Sequence, residues 1–341
     1  MRRRTFLMGV AGLAGCSREK KRRLNVYNWE SYVAPNTISD FEREFDCRVR
    51  YATYGSAEEM LAKVMSGNSG WDVVFPSNSF VAPMRALSLL LELEHDRLPN
   101  LKNLDPLFRS PEWDPSLAVS VPYFHGATGI LYASAAKPVP LSWSDLWTDS
   151  YARRMTMLDD PAEVLGACLK RNGFSINSVD PAQLLQARNL AEKQKPLLRA
   201  YLNEEVRDQV VAGDVLVAQM WAQGAHVAME SAPGRLKFAY PSEGFPLYAD
   251  VSSILRESEH AELAHQFLNY LLRPQVAAAV AVEIKGATAN LAARKLLPPS
   301  LRDNPSLYPG PDVLSRGEWF RPLPQRTQQL RDRYWTEIKS S

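Results

Sequence analysis

Hydrophobic and polar positions follow two different periods along the first part of the chain. Leu24-Asn25-Val26-Tyr27-Asn28-Trp29 reads as a strand, whereas Ile38, Phe41 and Phe45 recur at helical spacing and predict a helix from about Pro35 to Phe45. Val49 to Tyr54 predicts a second strand. Ser56 and Glu59, three apart and ahead of Met60, Leu61 and Val64, have the pattern of a capping box opening a helix. Trp71 to Phe75 predicts a third, short strand. This order of strand, helix, strand, helix and strand calls for right-handed crossovers and a parallel core.

Beyond a stretch rich in Pro, Asn and Asp at 95–118, Val119 to Tyr123 leads into a strand-like segment from Gly126 to Tyr132. Residues 137–150, with Trp143 and Trp147, read as a crossover. Met155 to Leu158 predicts a strand, Pro161 to Lys170 a helix, and Pro181 to about Leu202 a helix interrupted at Pro196. Leu216 to Trp221 predicts a strand followed by a helix over Ala222 to Glu230. Phe238 to Pro241 and Val251 to Leu255 predict short strands. Helices are predicted over Ser258 to Leu272, from Pro274 to about Val282, and over Gln325 to Ile338. Several βα units over 341 residues make an α/β protein long enough for two lobes.

Charge changes the picture at the N-terminus. The chain carries 40 Lys+Arg against 38 Asp+Glu, but Arg2, Arg3 and Arg4 precede any acid and are followed by the apolar run Phe6 to Gly15 and by Cys16. A charged opening and a short apolar region read as an export signal over 1–15. Leu13-Ala14-Gly15-Cys16 resembles a bacterial lipobox, which implies lipidation at Cys16 and a tether over 16–23. Arg3-Arg4-Thr5-Phe6-Leu7 resembles the twin-arginine motif, and the general export route stays open beside it. The remaining body holds 37 basic and 38 acidic residues. That balance lacks the concentrated basic surface of a nucleic-acid binder. No uninterrupted apolar run reaches the roughly 18–20 residues of a membrane span, so contact with the membrane is expected through the anchor alone. Cys47 and Cys168 stand too far apart to form a metal spacing, and the reading is that they are unpaired.

The reactive constellations are mostly excluded. His260 and His265 flank Glu262 but stand five apart, whereas a zinc-protease helix needs four, so no metal site is expected. A Gly-x-Ser-x-Gly elbow and a phosphate loop are both lacking. The first βα connection, Trp29 to Pro35, is aromatic and carries no dinucleotide fingerprint, so no cofactor is expected. Aromatics and acids gather instead at the ends of predicted strands: Trp29 and Tyr32, the loop Pro76-Ser77-Asn78-Ser79-Phe80, Asp160 with Glu163, Trp221, and Asp250. Asp160-Pro161-Ala162-Glu163 also reads as a helix start, with Asp160 as N-cap and Glu163 in the N3 position of a capping box. Asp250, between Phe245-Pro246-Leu247-Tyr248 and an apolar strand, needs a cation or several donors if it is buried.

Longer matches give this cluster a meaning. Tyr27-Asn28-Trp29 with Tyr32-Val33, Pro122-Tyr123 with Gly126-Ala127-Thr128, Ser142 to Trp147, Asn290 to Leu297 and Gly317-Glu318-Trp319 together resemble the spermidine/putrescine-binding proteins of bacterial ABC importers, over essentially all of 24–341. The resemblance implies a periplasmic-binding-protein-like α/β fold. Each of two lobes has a central β-sheet flanked by helices, with the ligand cleft between them. The expected lobes are 24–129 plus 249–288 and 130–248 plus 289–341. It implies a monomeric extracytoplasmic receptor without catalytic residues that binds a polyamine and hands it to an ABC permease. By the same resemblance the ligand residues are Trp29, Tyr32, Ser77, Asp160, Glu163, Trp221, Tyr248 and Asp250. Carboxylates would face the ammonium groups and aromatic rings would cover the methylenes.

Four positions besides Tyr248 depart from the pattern the family carries. Ser79 replaces an aromatic, His125 a tryptophan, Gly286 a tyrosine and Phe320 a glutamine, and Tyr248 itself stands for a tryptophan. These departures leave open the length of the polyamine and a contact from His125. The competing readings keep the scaffold but change the solute to another amine, an amino-acid derivative or a metal chelate. More distant alternatives are a sensor subunit and a secreted hydrolase.

Overall fold

A computed structural model describes residues 21–341; the expected signal segment, Cys16 and the tether up to residue 20 lie outside them. The first part of the described chain runs β1 (Arg22–Trp29), α1 (Thr37–Glu44), β2 (Cys47–Tyr54), α2 (Ala57–Met65), β3 (Val73–Val74) and α3 (Asn78–Ala86). As the periodicity predicts, β1 pairs in parallel with both β2 and β3. Ser56 caps α2 by accepting from the Glu59 amide, but the Glu59 carboxylate reaches the Gly55 amide rather than closing the box on Ser56.

The middle of the chain builds β4 (Val121–Ala133), β5 (Met155–Met157), α4 (Pro161–Arg171), α5 (Pro181–Gln194), β6 (Ala200–Tyr201), α6 (Val206–Ala212), β7 (Val217–Trp221), α7 (Ala222–Ser231) and β8 (Leu236–Ala239). Then follow β9 (Phe245–Ile254), α8 (Ala261–Leu271), α9 (Pro274–Ile284), β10 (Ala287–Thr288), β11 (Gly317–Trp319) and a last helix over Gln325–Ser340. Two expectations are corrected here. The predicted strands 126–132 and 251–255 are parts of longer ones, because Pro122 and Pro246 sit inside β4 and β9 instead of ending them. A register shift between Pro122 and Phe124 absorbs the missing donor in β4.

The strands join in the order β2-β1-β3-β9-β4-β7-β5-β6, with β8 and β10 added on β4 and β11 on β9. β4 is the joint. Its first half pairs with β9 up to Ala127, and its second half pairs with β7 and β8 from Thr128 onward. Two bodies of buried side chains flank this joint. One holds Phe41, Phe75, Phe108 and Phe267 on one face of the β2-β1-β3 region, with Tyr54, Met60 and Val81 on the other. The second holds Trp143, Tyr151, Met155 and Leu165, with Val206, Val210 and Met220 across the sheet. The result is a two-lobed α/β body whose lobes share β4 and β9. Cys47 and Cys168 are buried and unbonded, one in each lobe.

The last change of lobe falls later than expected. Ala289, Ala293, Leu297, Leu301 and Leu307 join the first body, whereas the sequence assigned 289 onward to the second. Asn290 fixes this path. Its amide donates to the Leu272 carbonyl at the end of α8 (2.8 Å), and its side-chain oxygen caps the next short helix at Ala293 N (2.9 Å). Asn290→Ala should therefore lower stability by about 1–2 kcal/mol, from the loss of one cap and of one of the two donors to the Leu272 carbonyl, which keeps Asn103. Urea titration would show it, and an unchanged midpoint would contradict this role.

Candidate functional site

The site grows from one face of the joint. Residues directly paired across strands point to the same side, and in β4, β9 and β7 these pairs are Phe124 with Asp250, Gly126 with Tyr248, and Thr128 with Trp221. Asp250 and Tyr248, two apart on β9, therefore share a face that continues over β4 to Trp221. Gly126 is required in this row. The Tyr248 phenol lies flat on it, and a Cβ there would stand 2.3 Å from the hydroxyl oxygen.

Asp250 is held at the first-lobe end. Only 6% exposed, it accepts from the Tyr32 hydroxyl at 2.6 Å and from Ser77 Oγ at 3.0 Å. Ser77 is in place because the chain leaving β3 bridges to β9 opposite Asp250. Tyr32 is braced by the Tyr123 hydroxyl, which donates to its main-chain carbonyl, and it follows Ser31, which has a left-handed backbone at φ 56°. Burial pushes the Asp250 carboxyl up to about 6, against the pull of its two hydroxyl donors. Trp29 ends β1 with its ring 4.7 Å from that of Tyr54, whose phenol is raised by burial and then by Asp250. That places the Trp29–Tyr54 pair beside the same carboxylate.

Glu163 is held at the second-lobe end. It is 2% exposed, and its Oε1 accepts from Thr128 Oγ1 (2.8 Å) and Trp221 Nε1 (3.0 Å), while Oε2 has no partner. Gln219 bonds its main-chain carbonyl. The N-cap read from the sequence is present: Asp160 accepts from the amides of Ala162 and Glu163. The capping box is not. Glu163 turns toward Trp221 and Thr128 instead of back to the Asp160 amide. Burial and the charge of Asp160 push its carboxyl up to about 8. Asp160 is itself raised, first by burial and further by Glu58 of α2, an acid of the other lobe. Carboxylates of the two lobes thus sense each other across a gap. Tyr248 lies between the ends: burial raises its phenol most, followed by Asp250 and Glu163.

All eight main candidates therefore gather around this one face, and three of them are acids, two buried and Asp160 half-buried. No Lys or Arg among the described residues forms an ion pair with Asp160, Glu163 or Asp250. The four departures divide. Phe320 is tied to the site's edge, since its amide donates to Leu247 O (3.0 Å) and its carbonyl accepts from Asn78, whose own oxygen accepts from Ala249 N. Gly286 lies behind Phe124, and a Cβ on it would come 3.5 Å from that ring, itself 5.6 Å from Tyr32. Ser79 opens the first turn of α3. His125 is not brought to the acids. It points to the other face of β4, its ring 4.8 Å from Phe108 and 5.7 Å from Tyr308, and burial together with Arg294 holds it down to about 3, hence uncharged. Thr128 and Gln219, which orient Glu163, carry no local signal that would have marked them.

Comparison with known proteins agrees with this architecture. The profile of the bacterial extracellular solute-binding proteins matches residues 36–308. A spermidine/putrescine-binding periplasmic protein of Salmonella typhimurium is 33% identical over 332 residues, covering 96% of this chain and 95% of that one. A putrescine-binding periplasmic protein of Pseudomonas aeruginosa is 31% identical, covering 98% and 96%. Among solved structures, a putative spermidine/putrescine ABC transporter protein from Listeria monocytogenes superposes with a TM-score of 0.87 at 30% identity, covering 93% of this chain and 99% of that one. A lipoprotein of Treponema pallidum superposes at 0.81 and 28%, covering 93% and 99%. The two-lobed body, its shared strands and a match over most of the length lead to one conclusion: this chain belongs to the bacterial extracellular solute-binding protein family.

Proposed function

We propose that the protein captures a polyamine outside the cytoplasm and delivers it to the permease of an ABC importer, performing no chemistry itself. The observation that carries this reading is the set of three carboxylates at the joint, Glu163 and Asp250 buried and Asp160 half-buried, each without a cationic side chain beside it among the described residues. Ionised carboxylates in such surroundings are costly, and a guest bearing ammonium groups removes that cost. A metal ion fits less well, because no three His, Cys, Asp or Glu side chains among the described residues converge closely enough to hold one. The acids are spread along the cleft, as the ends of an extended cation require.

The rings between the acids fit the rest of such a guest. Trp29, Trp221 and Tyr248 offer faces to methylenes and to the adjacent charges, at roughly 0.5–2 kcal/mol per cation contact. Four buried methylenes contribute only about 3 kcal/mol, so the carboxylates must carry much of the recognition. Because Asp160 and Glu58 repel across the gap, a cation between the lobes also favours their closure. The relatives named for spermidine and putrescine, and the lipoprotein among the solved structures, support the cargo and the lipid anchor at Cys16 respectively.

Calorimetry on protein stripped of bound amine should give sub-millimolar binding for at least one of putrescine, spermidine and spermine, and none for uncharged solutes of similar length. Failure with all three amines would remove the proposed cargo while leaving the family in place.

A further inference from the structure

One more acid stands on the second-lobe rim, and nothing in the local sequence marks it. β7, β5 and β6 are parallel neighbours in that order, so their carboxyl ends share one edge. Trp221 ends β7, and Asp160 and Glu163 follow β5. The loop after β6 crosses this edge. Its Asn203 accepts from the Asp159 amide (3.0 Å) at the end of β5, and the Glu204 carboxylate then lies against Gly224 in the first turn of α7. A Cβ built on Gly224 would stand 3.2 and 3.3 Å from the two Glu204 oxygens and close to Met220 Cε, so a side chain there would have to displace both of these flexible ends.

The carboxylate placed there is poorly engaged. Arg207 Nε stands 3.0 Å from one oxygen, yet its hydrogen is directed at the main-chain carbonyl of Glu204 (3.3 Å). The pair is about two-fifths exposed on the Glu204 side, which makes it a weak and displaceable one. Glu204 also reaches the site electrostatically: it is among the charges that raise the Tyr248 phenol, alongside Asp250 and Glu163. On the same edge of the sheet, Glu163 Oε2 is buried and unpartnered.

We propose that Glu204 is a ligand carboxylate and that, with Glu163, it gives the second-lobe wall capacity for two ammonium groups, so that the site selects a triamine over a diamine. The proposal rests on the polyamine reading and deepens it. A diamine satisfies Asp250 at one end and Glu163 at the other, and Glu204 keeps Arg207. One oxygen of Asp160 is already taken by its own helix. Glu163, Glu204 and Asp250 then match the three nitrogens of a triamine, with the closer pair of nitrogens on the second lobe.

The test compares putrescine and spermidine by calorimetry on the full stripped protein and on Glu204→Gln, with Glu204→Asp as a variant that keeps the charge but shortens its reach. Glu204→Gln should weaken spermidine at least about ten-fold and putrescine less than about three-fold, with Glu204→Asp in between. Equal effects on both amines, or no effect on either, would overturn the inference while leaving polyamine binding intact. If the unaltered protein binds neither amine, the polyamine reading itself has failed and this one goes with it.

Discussion

Asp250→Asn should weaken polyamine binding about a hundred-fold or more while leaving the empty protein as stable as before, or more so. The two halves of that expectation come from the same burial. Asp250 is 6% exposed and has only the Tyr32 and Ser77 hydroxyls for partners. An ammonium group arriving there would form a desolvated charge pair, and removing one member of such a pair costs roughly 2–5 kcal/mol. An amide still accepts from one hydroxyl, but it cannot balance a cation.

Stability moves the other way. The carboxyl is raised from its ordinary 3.8 to about 6 in the fold, so the folded state holds the proton more tightly than the unfolded chain. Stability tied to that proton is present below pH 4 and is lost as pH rises through 6. Above pH 6 the empty protein carries a penalty of roughly 3 kcal/mol for the ionised group. Asparagine has no such penalty. A melting temperature that holds or rises, together with a lost affinity, separates a binding role from a structural one. Near-equal affinity for the variant and the original protein would show that Asp250 does not face the guest.

How far the sequence carried toward this site depended on whether a feature was local. The parallel start was legible because Ile38, Phe41 and Phe45 repeat at one period and the flanking strands at another. Asp160 was legible as an N-cap because capping needs only the next three residues. The long strands were not, because Pro122 and Pro246 read as breaks. Only the pairing of β4 with β9 supplies the neighbours that make those residues tolerable, with Gly126 serving as the seat for Tyr248. β6, β10 and β11 have two or three residues each and owe their form entirely to partners. Glu163 shows the limit most clearly. Its spacing from Asp160 fits a capping box, and the choice of Thr128 and Trp221 over the backbone is made by residues 35 and 58 positions away.

That choice leads to the second large effect, a binding affinity that climbs with pH. In the empty protein burial and Asp160 raise Glu163 to about 8, so at pH 7 the Asp160–Glu163 pair retains most of one proton. A cationic guest favours the ionised form and must expel that proton. The dissociation constant should therefore fall close to ten-fold per pH unit between about pH 6 and 8, then level off until the amines themselves lose charge near pH 10. At pH 7, calorimetry in buffers of different ionisation enthalpy should report nearly one proton released per guest. The empty fold follows the opposite course. Because the folded value lies above the ordinary 4.5, stability from the retained proton is full below about pH 4.5 and is lost as pH rises through 8, so the empty protein melts lower at pH 8 than at pH 5. Glu163→Gln should flatten both slopes and bind weakly at every pH. A dissociation constant constant from pH 6 to 8, with no buffer-dependent heat, would mean that the Glu163 proton is not exchanged for the guest. The proposed hold on a cation would then have to come from acids already ionised before it arrives.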